Sequence, residues 1–393
     1  MEMENMHNLY YQPEDGWLGD IMPCYHNGTY YLYYQCDKRI PASFPNGTPF
    51  GWSLATTQDM RNFKDYGEVL GTGARGTREE WLYAGSVIYA KGCFRAFYTG
   101  HCDGWSGQGN PPAEALMLAV SGDGIHWTKK PKLTFSAPDG YEKDYFRDPH
   151  VFFCEEENTW MLIAPARRKD GPSVRRGAML YYTSEDLEHW SFCGELWYPK
   201  MYHLLQMPDL FKIGGWWYLF FSEYCDERKT RYRMSRSIHG PWLAPGDDSL
   251  DSRCFYAART IAADGKRYLF GWNPTRENDL SMWMWGGTAV IQEIVQREDG
   301  TLGTVIPALY RQSFIPKTES FPKAVELSRL DGCDEQTLFE NPGENFCVSW
   351  TFSFRKGTQS FGVRLYMDNE SDVGYTFEFR PPENRIIFDK LPM

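Results

Sequence analysis

Short apolar runs separated by turn residues, rather than helical periodicity, follow one another along the chain. Tyr25–Gln35 sets an Asn-Gly pair between two aromatic runs, which is the pattern of a β-hairpin. A second aromatic run, Trp216–Ser222, predicts another strand. Beyond Leu309 apolar and polar residues alternate, which predicts half-buried antiparallel strands at 347–354, 361–367 and 375–380. The pattern predicts an all-β protein.

A turn motif recurs at a nearly constant interval. It consists of Ser or Thr, one residue, Asp, three residues and an aromatic residue, and each copy follows a strand-like run. The aspartate can accept a hydrogen bond from the backbone two residues on, and the aromatic ring then covers the hairpin. The first three aspartates are 64 and 63 residues apart, and the fourth copy is degenerate. The copies are Thr57–Phe63, Ser121–Trp127, Ser184–Trp190 and Ser235–Trp242.

A period of this length, with several short strands in each unit, is typical of a β-propeller with long loops. Residues 1–310 hold about five such periods. We therefore expect a five-bladed propeller over residues 1–315 and a short β-sandwich-like C-terminal module over 316–393, with a linker at Lys317–Ser320. The module is smaller than an ordinary sandwich of roughly 100 residues, so we expect it to be reduced or truncated.

Composition favours a carbohydrate partner. Aromatic residues make up 17% of the 393 residues, and such rings stack on sugars or bases. The formal net charge of -11 argues against nucleic acid. No run approaches 18 apolar residues, and the acidic start Met1–Asn5 does not resemble a secretory leader. We expect a cytoplasmic protein without a membrane partner.

The ten cysteines form no metal or redox motif. No Cys-x-x-Cys pair occurs, which argues against a zinc ribbon and a thioredoxin-type site. His101, Cys102 and Asp103 could form one corner of a metal site, but no second cluster completes it. The sequence predicts free thiols and no metal or cofactor.

Three motifs combine an acidic residue with a proline and open onto aromatic strands. The most compact is Arg147-Asp148-Pro149. A guanidinium beside a carboxylate keeps it ionised and orients it through a bidentate fork, while the proline stiffens the backbone. The other two motifs are Gly16–Pro23, which contains Asp20, and Gln206–Asp209. One such triplet alone is usually a structural turn, so the case for a site depends on all three.

Together the motifs resemble the signatures of glycoside hydrolase family 32, the invertase, inulinase and levanase group, which read roughly WMNDPNG, RDP and ECPDLF. The resemblance implies a five-bladed propeller and retaining hydrolysis of β-fructofuranosides such as sucrose, fructo-oligosaccharides or fructans. It makes Asp20 the nucleophile, lets Asp148 with Arg147 hold sugar hydroxyls in the transition state, and puts the acid/base at 206. Retaining glycosidases separate the two groups by about 5–5.5 Å, which we expect between Asp20 and Gln206.

Further similarities extend over residues 16–310. Five short segments are similar to the family's FYQ, WGH, SGS, YTG and IGW, namely Tyr33-Tyr34-Gln35, Gly51-Trp52-Ser53, Gly85-Ser86, Tyr98-Thr99-Gly100 and Gly271-Trp272. Phe255-Tyr256-Ala257 is similar to its FYAP. The resemblance implies a sugar pocket lined by Trp17, Gln35, Trp52, Ser86, Arg147 and Trp272.

Two positions depart from the family pattern. Gln206 stands where the family has Glu, and an amide neither donates nor accepts a titratable proton. Three explanations are open: an engineered variant, a natural departure with another group in the role, or a non-catalytic descendant. Glu223, on the same hairpin, is the nearest stand-in, although a solvated strand-end residue is the simpler interpretation. Before Asp20, Gly19 replaces the family's Asn, which leaves the exact furanoside open.

Two alternatives compete with a retaining fructosidase. The first is a family 43-like inverting arabinanase or xylosidase, which has the same kind of propeller; the segments FRDPHV and MPDLF favour family 32 over it. The second is a sugar-binding propeller without turnover, which Gln206 supports.

Overall fold

The computed structural model describes residues 10–107, 109–224, 228–251, 255–278, 280–312, 314, 324–340, 346–368, 370–371 and 373–391. The chain divides into two compact units, Met1–Leu338 and Phe339–Met393. Within the described residues the single α-helix, α1, spans only Ala308–Gln312, and strands make up the regular structure. The all-β prediction is confirmed. No helix in these ranges is long and apolar enough to cross a membrane.

The first half of unit 1 consists of antiparallel strands that follow one another in chain order. The first four are β1 (Trp17–His26), β2 (Thr29–Asp37), β3 (Trp52–Thr57) and β4 (Lys64–Leu70). The next four are β5 (Trp81–Ala90), β6 (Cys93–His101), β7 (Glu114–Ser121) and β8 (Thr128–Lys129). They are followed by β9 (Tyr141–Phe146), β10 (His150–Cys154), β11 (Thr159–Arg168), β12 (Gly177–Ser184) and β13 (Ser191–Trp197).

The second half continues this arrangement and then returns to the first sheet. A three-stranded sheet contains β14 (Leu205–Ile213), β15 (Trp216–Glu223) and β16 (Thr230–Ser235). The last strands of the unit are β17 (Tyr256–Ala263), β18 (Lys266–Thr275), β19 (Met284–Gln296) and β20 (Leu302–Val305). Strand β19 pairs with β1, where Leu18 lies opposite Gly287, so β17–β20 and β1–β4 form one eight-stranded sheet.

Four buried apolar clusters join successive groups of strands. One joins β17–β19 to β1–β4 and β5–β7, and the next joins β5–β7 to β9–β12. A third lies between β10–β13 and β14–β15, and a fourth between β14–β16 and β17–β20. Each group of strands therefore buries apolar side chains against the groups before and after it.

The repeated turn motif forms the predicted turns. In the first three copies the carboxylates of Asp59, Asp123 and Asp186 accept backbone N–H bonds from residues two and three positions on, at 2.8–2.9 Å. The aromatic residues that end these copies pack against the neighbouring cores. The predicted β1–β2 hairpin is also confirmed, because Asn27 and Gly28 take φ of 48° and 77°, as its tight turn requires.

Unit 2 contains one antiparallel three-stranded sheet of β21 (Phe361–Asp368), β22 (Val373–Arg380) and β23 (Arg385–Leu391). Two of the predicted strands are thus confirmed, but the strand predicted at 347–354 is wrong, because that segment has no strand assignment. Its aromatic residues pack on the sheet without strand pairing; Phe352 lies 5.3 Å from the rings of Phe361 and Phe379. The linker predicted at Lys317–Ser320 and the boundary at 315/316 lie outside the described residues.

Candidate active site

Irregular pairing recurs at the same end of the hairpins and carries the candidate residues. Register shifts occur between Leu18 and Ile21, and between Gln206 and Asp209, so Asp20 and Met207 sit in bulges. Further shifts occur in the β5–β6 and β17–β18 hairpins. Bulges release backbone groups from the ladder and redirect side chains, and they are common at active sites.

Side chains of neighbouring strands satisfy the released N–H groups. Asp148, Met207 and Ala257 all have left-handed φ, at 52°, 49° and 55°. The N–H of Asp148 donates to Thr99 Oγ1 at 3.0 Å, and the N–H of Met207 donates to Asp148 Oδ2 at 3.1 Å. The N–H of Ala257 donates to a serine hydroxyl on β15 at 3.0 Å. These bonds fix the Asp148 carboxylate and connect the segment between β9 and β10 to β14, the strand that carries Gln206.

Asp20 is held by an indole. The Nε1–H of Trp272 donates to Asp20 Oδ1 at 3.0 Å, which leaves Oδ2 free of that bond. Burial, followed by the negative charge of Asp148, raises the pKa of Asp20 to about 7, although Trp272 and the guanidiniums of Arg259 and Arg147 oppose the shift. Asp20 therefore holds its proton more strongly than a solvent-exposed carboxyl does.

Asp148 shares the same buried environment. It is 3% exposed, and burial raises its pKa despite the opposing effects of Arg147, Arg259 and the Met207 N–H bond. The negative charge of Asp148 also raises the pKa of Asp20, so each position of this buried site disfavours a second negative charge.

The guanidinium of Arg147 does not form a bidentate pair with Asp148, contrary to the prediction from the sequence. Its fork binds Glu114, with Nε to Oε2 at 3.0 Å and Nη2 to Oε1 at 2.5 Å. Glu114 is fully buried and also accepts the N–H of Phe146, so it is a ready partner for a charged fork. Arg259 instead secures the backbone here, with Nη2 donating to the carbonyl of Asp148 at 2.8 Å. Arg147 acts on Asp148 through charge alone.

The side chain of Gln206 makes a neutral hydrogen bond. Its Oε1 accepts the hydroxyl proton of Tyr256 at 2.7 Å. Burial, followed by the charges of Asp20 and Asp148, raises the pKa of Tyr256 well above its usual value. The phenol stays protonated at neutral pH and remains a donor, so Gln206 and Tyr256 contain no group that titrates there.

Glu223 is not a solvated strand-end residue, contrary to expectation. It is 4% exposed and forms an ion pair with Arg231 at 2.9 Å. Ser222 lies opposite Gln206 in the β14–β15 ladder, and Glu223 lies opposite Leu205. Successive side chains of a strand point to opposite faces of the sheet. The Glu223 carboxylate is thus directed away from Gln206, which argues against the stand-in role.

Three residues expected in the pocket form side-chain hydrogen bonds with backbone groups. Gln35 Nε2 donates to the carbonyl of Leu82 at 2.8 Å, and the indole of Trp52, fully buried, donates to that of Tyr83 at 3.1 Å. Ser86 Oγ accepts the N–H of Val151 at 3.1 Å. These contacts tie neighbouring strand groups together, and direct contact of the three residues with a sugar stays a prediction.

The indole of Trp285 explains why position 19 is a glycine. A Cβ at Gly19 would overlap the six-membered ring of Trp285, so no larger residue fits. Trp285 also packs edge-on against Trp272, with ring centroids 5.7 Å apart. Arg39 holds this segment by donating to the carbonyls of Trp285 and Gly286 at 3.2 Å, and it lies 4.1 Å above the ring of Trp17. An aromatic wall thus stands beside Asp20, next to the position of the family's Asn.

Five residues of the site received no role from the sequence: Thr99, Glu114, Tyr256, Arg259 and Trp285. Tyr256 and Thr99 lie in segments already similar to family motifs, and those similarities could have assigned them. The other three act through contacts between distant strands, which no local pattern displays. Within the described ranges, no cluster of three or more His, Cys, Asp or Glu side chains could hold a metal ion.

Residues 10–302 match the family model for the N-terminal domain of glycosyl hydrolases family 32. The chain belongs to glycoside hydrolase family 32. It is 28% identical to sucrose-6-phosphate hydrolase of Escherichia coli, over 97% of this chain and 81% of that protein. It is also 28% identical to levanase of Bacillus subtilis, over 52% of this chain and 28% of that protein.

Solved structures show the same fold. The sucrose complex of a Bombyx mori GH32 β-fructofuranosidase has a TM-score of 0.62 and 22% identity, over 77% of this chain and 66% of that one. Sucrose-6-phosphate hydrolase from Lactobacillus gasseri gives 0.64 and 19%, over 77% of this chain and 64% of that one. A thermostable family-43 glycoside hydrolase gives 0.56 and 18%, over 79% of this chain and 99% of that one. The family prediction is confirmed.

Proposed function

We propose that this family 32 glycosidase binds a β-fructofuranoside against Asp20 and cleaves it with retention. The observation that carries the proposal is the arrangement around Asp20. An indole N–H holds one of its carboxylate oxygens, and the charge of a second buried carboxyl, Asp148, acts on it. A nucleophile needs one free oxygen and a fixed orientation, and this arrangement supplies both.

In the first step Asp20 attacks the anomeric carbon, a fructosyl ester forms, and the bond to the leaving oxygen breaks. Asp148 accepts hydrogen bonds from sugar hydroxyls as positive charge develops on the ring. In the family pattern a glutamate protonates the leaving oxygen and later activates water. Gln206 can do neither, so the leaving oxygen must take its proton from solvent, and water must attack the ester without a general base.

The relatives' names suggest the substrate class. They include sucrose-6-phosphate hydrolases, a levanase and an exo-inulinase. We propose sucrose, fructo-oligosaccharides or fructans for this chain. The family 43-like alternative is not favoured, because the family 32 model matches the whole range of the motifs.

A second candidate is a sugar-binding protein without turnover. The bond from Tyr256 to Gln206 favours it, since it puts a neutral pair where the family has a titratable carboxyl. The two candidates share a pocket and differ in whether bound fructoside is released as product.

We also propose that the strands of unit 1 form the blades of a propeller. Five groups of strands and the β19–β1 pairing support a five-bladed propeller. The described residues of unit 2 form one sheet, so the short sandwich-like module remains a prediction. The domain ranges 1–315 and 316–393 and the cytoplasmic location remain predictions.

Product stereochemistry tests the mechanism. An aryl β-fructofuranoside, whose leaving group departs without protonation, is incubated with the protein and followed by NMR from the first turnover. We expect the β-anomer of fructose first, with Asp20→Asn inactive. Initial α-fructose would mean inversion and would contradict Asp20 as nucleophile. Saturable binding with no release, also after Gln206→Glu, would favour the binding protein.

A further inference from the structure

A cavity of about 520 Å³ lies where strands β2, β3 and β4 meet the first copy of the repeated turn. Its volume falls within the range of small-molecule sites. Strand register sets its place relative to Asp20. Asp20 precedes the β1–β2 turn by six residues or more, and Thr29 follows that turn directly. At about 3.3 Å per residue, the cavity lies roughly 20 Å along the strands from the candidate active site.

The wall of the cavity is a sheet face with two tyrosines. Tyr31, Thr56 and Lys64 lie opposite one another across β2, β3 and β4, so their side chains share one face. Thr29 and Tyr66, each two residues along, belong to the same face, and both tyrosine rings are half-buried. Flat aromatic rings at the surface of a pocket suit the C–H face of a sugar ring.

Several polar side chains that line the cavity have no hydrogen-bond partner within the described ranges. Gln58, Thr29 and Thr56 make no side-chain hydrogen bond with any residue in the described ranges, and neither do the hydroxyls of Tyr31 and Tyr66. These are neutral donors and acceptors in one concave site. A small number of converging polar groups beside aromatic walls is what fixes a ligand's orientation.

The charges favour a neutral ligand. Asp59 and Lys64 are the two charged residues of the lining. The Asp59 carboxylate is occupied by the turn: Oδ1 accepts the N–H groups of Arg61 and Asn62, and Oδ2 accepts the Asn62 amide at 2.7 Å. Lys64 lies 4.6 Å from the ring centre of Tyr66. One ammonium without an arginine fork is a poor site for a phosphate.

We infer that this cavity is a second, non-catalytic binding site for a neutral oligosaccharide. Tyr31 stacks on a sugar ring, and Tyr66, with the Lys64 ammonium over its ring, forms the other aromatic wall of the site. Gln58, Thr29 and Thr56 bind sugar hydroxyls. Because the cavity lies far along the strands from Asp20, both sites can be occupied at once. The site does not require turnover at Asp20, and it goes beyond the proposed function.

Calorimetry on the full chain tests the second site. The Asp20→Asn variant, which prevents turnover, is titrated with the neutral fructan tetrasaccharide nystose, and we expect two binding events per chain. Adding Tyr66→Ala should remove one event or weaken it about tenfold or more. Gln58→Ala should weaken the same event. Gln58 lies on an exposed turn, so this variant keeps the packed core and provides the test if Tyr66→Ala fails to fold.

Controls separate this site from the candidate active site. Tyr181→Ala removes a half-buried tyrosine of another sheet and should leave both events unchanged. Trp272→Ala should remove only the event at Asp20. The second site would be wrong if a single binding event were seen that Trp272→Ala abolishes and that Tyr66→Ala and Gln58→Ala leave unchanged. The proposed function would still stand in that case. If a folded Tyr66→Ala variant lost all binding and Trp272→Ala lost none, nystose would bind only at the second site. This result would contradict the proposed function and support the second site. Inorganic phosphate that displaces nystose from the Tyr66 event would overturn the neutral-sugar assignment.

Discussion

Gln206 accepts a hydrogen bond from Tyr256 at 2.7 Å, so a glutamate at 206 would have the same donor within reach. Burial beside Asp20 and Asp148 would raise the pKa of such a carboxyl, because both burial and like charges disfavour its ionised form. It would then carry a proton to donate at neutral pH. We expect Gln206→Glu to speed sucrose or fructan hydrolysis by about 10²–10⁴-fold, the usual contribution of general acid/base catalysis.

The aryl fructoside supplies the matched comparison for Gln206→Glu. The protein with Gln206 should still form the fructosyl ester from it, and azide should speed ester breakdown because an anion needs no general base. Initial rates are measured on sucrose and on the aryl fructoside, with and without azide. If the two proteins had equal rates on every substrate, position 206 would not hold the acid/base.

Asp148→Asn should reduce catalysis far more than stability. An asparagine oxygen can still accept the Met207 N–H, now bonded at 3.1 Å, so the bulge keeps its partner. The negative charge that faces the developing positive charge of the sugar is lost. In the Gln206→Glu background we expect kcat/KM to fall by about 10²-fold or more and the melting temperature to change little. A sharp drop in melting temperature with unchanged turnover per folded molecule would make Asp148 structural.

The pKa of Asp20, raised from 3.8 to about 7, links stability to pH. Between these values the folded protein binds the Asp20 proton and the unfolded chain does not, so this contribution to stability is lost as the pH rises through about 7. Above pH 7 the folded protein must hold Asp20 ionised in a buried site, which lowers stability. Asp20→Asn is neutral at every pH and avoids that cost. We expect the variant to be more stable than the parent at pH 8, by an amount of the order of a few kcal/mol, and the difference to vanish near pH 3. Denaturant unfolding at both values measures it; a difference independent of pH would contradict the shift.

At the scale of elements, Gly19 on β1 and Trp285 on β19 form one packing unit. Gly19→Ala should destabilise the protein by about 1–3 kcal/mol, since the added methyl overlaps the indole. In a Trp285→Ala background the same change should cost much less, because the obstructing ring is gone. Gly122→Ala is the control, since a Cβ there has open space. Equal costs of Gly19→Ala in both backgrounds would contradict the explanation of Gly19.

The elements differ in how far the sequence reveals them. The turn at Asp59 and the hairpin at Asn27-Gly28 are set by bonds within a few residues, so their motifs predicted them. The partner of Arg147 was missed because Glu114 is more than thirty residues away and nothing nearby marks it. The bulge at Asp20 and the indole over Gly19 likewise depend on strands that are distant in sequence. In the segment 347–354 apolar and polar residues alternate as they would in a strand, but its aromatic rings pack on the sheet without strand pairing.

At the scale of the whole molecule, the four clusters of described core residues end at Leu302. Unit 1 therefore contains the apolar burial that joins its own strand groups, and the candidate site lies within it. We expect a chain that ends at Leu338 to unfold cooperatively and to bind nystose as the full chain does. Calorimetry and denaturant unfolding of the two chains compare them.

A chain that ends before Met284 provides the contrast, because it lacks β19. Leu18 then loses its pairing with Gly287, and two clusters lose Ala289, Val290 and Ile294. Asp20 sits two residues beyond Leu18, so the strand that carries the nucleophile would have a free edge. We expect this shorter chain to fail to fold. If it folded and still bound nystose, the β19–β1 pairing would not be what closes unit 1 around its site.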